Sequence, residues 1–137
     1  MQFLLQLTVI HPTLLSRPET TVKIENPPYM SLTVENIGLG PRGLPALSIC
    51  HYGELNGDLM RDPEMCFEME IENGAVKEFH PYYYRNDYVA IEQFAVDEEN
   101  RRIDVKAIQS QREMAQMWDS NLAAQGFLKA HSATLKL

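Results

Sequence analysis

The densest collection of chemistry-bearing side chains lies between His51 and Glu64: His51, Tyr52, Glu54, Asn56, Gly57, Asp58, Met60, Asp62, Pro63 and Glu64. His51, Glu54, Asp58, Asp62 and Glu64 are of the types that gather around a divalent cation, which offsets the repulsion of crowded oxygen ligands. The order and the closing glutamate of an EF-hand are absent, however. Asn56-Gly57-Asp58 fits turn chemistry, Asp62-Pro63 can start a second turn, and Arg61 can neutralise a neighbouring carboxylate. The segment therefore reads as a structural loop joining two strands, and no metal or cofactor is assigned to it. Nucleophilic chemistry fares no better. Cys50 and His51 are adjacent, so on a strand they point to opposite faces. Cys66 with His80 or His51 stays open as a pair across the sheet, without a C-x-x-C or a nucleophile elbow in support. No catalytic residue is assigned.

A second cluster has a different character. In EMCFEMEIE, Met65, Phe67, Met69 and Ile71 alternate with Glu64, Cys66, Glu68, Glu70 and Glu72, so one strand face is apolar and the other is a carboxylate stripe. Asn73-Gly74 then signals a two-residue hairpin turn. The return strand, Ala75 to about Tyr84, places His80, Tyr82 and Tyr84 on one face and Phe79 and Tyr83 on the other. Tyr83 is expected inward, with Tyr82 and Tyr84 exposed beside the stripe. Tyrosine offers a large area and a polar tip at little entropic cost, which suits recognition, although ordinary cross-strand aromatic pairing uses the same residues.

The elements that must position these clusters follow from periodicity and punctuation. Phe3, Leu4, Leu7 and Ile10 recur at helical spacing until Pro12, predicting an N-terminal helix within residues 1–16. TTVKIE, YMSLTVENI, PALSICHY, EMCFEMEIE, its return strand and YVAIEQFAV are strand candidates, with a turn at Arg85-Asn86-Asp87. Gly38-Leu39-Gly40-Pro41-Arg42-Gly43 reads as a turn, because it lacks the lysine and following helix of a phosphate loop. From Ile103 the period changes to about 3.6, with Val105, Ile108, Ala115, Trp118 and Leu122 on one face, Asp104 as N-cap and Gly126 as stop. Residues 127–137 read as an ambiguous tail. The expected fold is α+β and a single domain over 1–137. It has an antiparallel meander of about five to six strands over 20–98, with a short N-terminal helix and a longer C-terminal helix, 103–126, packed on one face. The other face, bearing the carboxylates, is expected to meet solvent.

Charge narrows the partners. The chain of 137 residues has 12 basic and 19 acidic residues, a net charge of -7. The acids concentrate in residues 54–99, where 13 carboxylates face only Arg61, Lys77 and Arg85. Such a surface repels a phosphate backbone, so no direct nucleic-acid binding is expected. The acidity first of all serves solubility, and a basic protein partner is the sharper reading of it. No apolar run is long enough to span a membrane, and the opening MQFLLQLTVIHPTLLSR lacks the basic start and cleavage site of a signal peptide. Cys50 and Cys66 lie in apolar alternating stretches suited to buried, reduced thiols, so a cytoplasmic location is expected.

The segment His51 to Glu68, of the form H-Y-x-E-x-N-G-D-x-M-x-D-P-E-M-x-F-E, together with YMSLTVENIG and FHPYYYRNDYVAIEQ, resembles a small domain-of-unknown-function family. That family is carried by plasmids, phages and integrative elements of bacteria. The resemblance covers about residues 20–96 and implies an accessory or anti-defence role. The expected function is non-enzymatic protein binding, as an inhibitor of a CRISPR or restriction nuclease that meets its basic groove through Glu64, Glu68, Glu70, Glu72, Tyr82 and Tyr84. A small metal-dependent or acid/base enzyme using the His51–Glu64 segment is the alternative. An oligomerisation module, such as a homodimer, is the third reading.

Overall fold

Six β-rich segments pair in chain order. In the computed structural model, which describes residues 1–99 and 101–135, β1 (Thr21–Ile24), β2 (Ser31–Leu39), β3 (Pro45–Leu55), β4 (Asp58–Glu72), β5 (Ala75–Asn86) and β6 (Ile91–Phe94) make one antiparallel sheet. Asn73 and Gly74, at φ 54° and 78°, form the expected hairpin turn. Asn56 and Gly57 make a second one at φ 52° and 84°, the left-handed pair that matches strand twist. His51 to Glu64 is consequently no loop: it is the tip and both arms of the β3–β4 hairpin, with Leu55 opposite Asp58. The turn after β5 likewise comes at 87–90, because Arg85 and Asn86 still pair with β6.

Helices flank the meander at both ends. α1 (Gln2–Ile10) stops before Pro12, which restricts His11 and opens a 3-10 turn over Pro12–Leu15. α2 (Val105–Gln125) has both predicted ends: Asp104 accepts the Ala107 N–H at 3.0 Å, and Gly126 takes the left-handed conformation at φ 75°. Residues 127–135 are not a tail but α3 (Phe127–Leu135), because Gly126 turns the chain and Phe127 is drawn into the core. β7 (Val96–Asp97) and β8 (Arg102–Ile103) form a small separate ladder before α2.

One sheet face and the helices share a core. Leu32, Val34, Ile49, Met65, Phe67 and Met69 pack with Leu4 and Leu7 of α1, Trp118 and Leu122 of α2, and Phe127 of α3. Each such side chain contributes about 1.5–3 kcal/mol by leaving water. Buried Asn36 ties the 3-10 turn to β2 by donating to the Leu14 carbonyl at 2.9 Å. Asp119 of α2 accepts the N–H groups of Gln2 and Phe3, both at 3.0 Å, so α1 borrows from α2 the anion that its own N-terminus lacks.

Candidate functional site

The outer sheet face is where the glutamates were expected to form an exposed stripe, and β5 decides what accompanies them. Met65 pairs with Tyr84, Cys66 with Tyr83, Phe67 with Pro81 and Glu70 with Glu78, while Ile71 pairs with Val76. Tyr82 and Lys77 are thus extra residues in two bulges, and each reverses the alternation that follows. Tyr84 faces inward and packs on the core, and Tyr83 faces outward beside Tyr82. The expected roles of Tyr83 and Tyr84 are therefore exchanged. The Tyr83 hydroxyl donates to Glu92 at 2.7 Å, and its ring lies 4.9 Å from that of Phe94.

Glu68 departs furthest from expectation, being fully buried rather than exposed. Its carboxylate accepts the Arg42 side chain at 2.7 Å and the backbone N–H groups of Arg42 and Leu44 at 3.0 and 3.1 Å. The loop after β2 closes over it. A Cβ on Gly40 would come within 2.3 Å of the Glu68 side chain, so the glycine admits the carboxylate to the loop. Sequence reasoning missed Arg42 and Gly40 as its partners. The available signal was an arginine among glycines, able to wrap an anion.

The rest of the stripe is divided. Glu64 accepts the Ser48 hydroxyl at 2.6 Å and lies 3.4 Å from the Arg61 guanidinium. Asp87 accepts the Arg61 N–H at 2.8 Å and the Arg85 side chain at 2.6 Å. The backbone N–H of Arg61 first, and the Arg85 side chain second, hold the Asp87 carboxyl below its ordinary range. Cys50 and Cys66 lie on this face, free and buried. Burial, reinforced by the Glu64 charge, pushes both thiols up to about 12, which keeps them protonated and weakly nucleophilic. Glu70 and Glu72 remain at the far end, joined by exposed Glu78. Lys77 pairs with Glu72 at 3.6 Å, and His80 lies 3.2 Å from Glu70.

The side chains of metal-ligand type between His51 and Glu64 do not gather at one point. His51 lies on the inner face, its ring 5.5 Å from Trp118 and 5.3 Å from Phe127, with Nδ1 near the Met30 and Ser31 carbonyls. Desolvation lowers its pKa. Glu54 and Asp58 are exposed near the hairpin tip, Tyr52 pairs with Arg61, Met60 pairs with Gly53, and Asp62 accepts from Asn86 at 2.8 Å. Pro63 occupies the register shift between Cys50/Glu64 and Tyr52/Arg61. Among the described residues, the group with metal-ligand types in reach of one another is Glu70, Glu78 and His80, whose donor atoms lie within 4.8 Å. Sequence reasoning missed this group too, since the pairing of Glu70 with Glu78 depends on the β5 register. His51 faces inward, away from Cys66, and His80, opposite Glu68 on the outer face, lies 3.2 Å from Glu70.

Beyond the Glu68-bound loop, the outer face has a groove of about 630 Å³. Leu39 and Pro41 form one wall, Tyr82 and Phe94 the aromatic side, and Asp97, Glu98 and Glu99 the rim. Leu39 and Phe94, which both line the groove, are 72% and 60% exposed.

A family model described as "Domain of unknown function (DUF6908)" matches residues 2–128. No curated protein and no solved structure matches the chain. No described helix is long and apolar enough to cross a membrane.

Proposed function

Because the chain belongs to the DUF6908 family, whose description assigns no activity, we propose from its outer face that it is a non-enzymatic protein-binding module for a basic partner. One observation carries this reading. The helices pack on the inner face, while Glu70, Glu72 and Glu78 collect at one end of the outer face, with Lys77 as the paired cation among them. A carboxylate surface on rigid strands steers a cationic surface toward it and sets orientation on contact.

A nucleic-acid-binding nuclease has the required charge. The resemblance to domains of mobile elements gives the concrete form: an anti-defence accessory protein, active in the bacterial cytoplasm, that occupies the basic groove of a CRISPR or restriction nuclease. The alternative, a small metal-dependent or acid/base enzyme on His51–Glu64, would have to work without His51, which lies on the opposite face from Glu64. Glu68 and Tyr84 drop out of the contact surface, and Glu78 enters it.

The test compares wild type with Glu70→Lys/Glu72→Lys/Glu78→Lys in titrations against the protein captured from the native host. The variant is expected to bind at least tenfold more weakly, with wild-type affinity falling as salt rises. Equal affinities, with folding unchanged by circular dichroism, would reject this face.

A further inference from the structure

We propose that the groove between the Leu39 loop and Phe94 seats an arginine side chain of a basic peptide segment, its guanidinium stacked on Phe94 and facing Glu98 and Glu99. The proposal rests on the outer face being the binding surface, and names the group that this part of it recognises.

Shape, chemistry and charge agree. A planar, weakly hydrated cation needs an aromatic plane to lie on and carboxylates to bond. Phe94 supplies the plane and is exposed on the edge strand β6. Tyr82 lines the groove with it and adds a second aromatic side chain. The methylenes of an arginine stem fit against Leu39 and Val96, which also line the groove. Glu98 and Glu99 are exposed on its rim. Arg42, from the loop that lines the groove, is bound to Glu68, and Arg102 lies opposite Asp97 across the β7–β8 ladder. The buried Glu68 also fixes the loop that forms the Leu39 wall, so the seat exists before its ligand arrives. Preorganisation of this kind spares the entropy of ordering a loop on binding.

The probe is a fluorescein-labelled nonapeptide of alternating arginine and glycine, with its lysine counterpart as control, titrated against the full chain. The arginine peptide should bind more tightly than the lysine peptide. Phe94→Ala should weaken it about tenfold, as loss of a desolvated cation–π contact does. Phe94→Leu, which keeps apolar area and removes the ring, should weaken it similarly while circular dichroism stays unchanged. Glu98→Gln/Glu99→Gln should also reduce affinity. Equal binding of the two peptides, no binding of either, or full affinity in Phe94→Leu would each overturn the proposal. Failure here alongside loss of partner binding in the Glu70/Glu72/Glu78 reversal removes the arginine seat and leaves the acidic face. Peptide binding with an ineffective reversal supports the seat and removes the face reading.

Discussion

Glu68 shows what a single residue does in this molecule: it exchanges water for Arg42 and two backbone N–H groups, and in return fixes a surface loop. Removing one partner of a buried ion pair costs about 3–5 kcal/mol. Because Arg42 is 35% exposed, Glu68→Ala should cost about 3 kcal/mol, read from urea unfolding, and should increase amide exchange at Gly40–Leu44. Glu68→Gln should cost less, since it keeps one acceptor oxygen. The strand alternation put Glu68 on the outer face correctly, but alternation specifies a face and not a roof. Burial came from a loop 26 residues away. A second residue-scale effect concerns acid. Desolvation lowers the pKa of His51, and desolvation together with the charge of His11, 2.7 Å away, lowers that of His131. Each unfolded histidine titrates near 6.5 and takes up a proton that its folded counterpart resists. Their stability contribution is therefore complete above about pH 6.5 and lost as pH falls below it. Melting temperature should drop between pH 7 and 5, and His131→Gln should make that drop shallower. An unchanged acid slope in the variant would count against the histidine pair.

At the scale of elements, legibility depended on whether a signal was local. The caps of α2 are local: Asp104 and Gly126 were readable as ends because each acts on backbone within a turn of itself. Asp104→Ala should cost about 1 kcal/mol by leaving the Ala107 N–H without its acceptor, measured as a lower melting temperature with helix content retained. The β5 register is not local. Tyr82 and Lys77 look like ordinary members of an alternating strand, and only pairing with β4 shows them to be inserted. Counting by twos through a bulge inverts every residue beyond it, which is why Tyr83 and Tyr84 exchanged faces. Asn56-Gly57 carried the hairpin signal as plainly as Asn73-Gly74 did. The surrounding charged residues drew attention to ion chemistry, although β4 runs 15 residues and most of that charge lies along its outer arm.

Across the whole molecule, the fold separates two jobs. The helices and inner sheet face make the core, and the outer face carries the acidic end and the aromatic groove. The α+β class and the meander were legible from periodicity, whereas the groove needed the 38–43 loop, β5 and β6 to meet, which no single segment announces. The most direct measurement of the central claim is carbodiimide labelling of carboxylates, read by mass spectrometry with and without the captured partner. Glu70, Glu72 and Glu78 should lose labelling in the complex, Glu113 on α2 should keep it, and buried Glu68 should resist label in both states. Protection confined to the helices, with Glu70, Glu72 and Glu78 labelled equally in both states, would contradict the account.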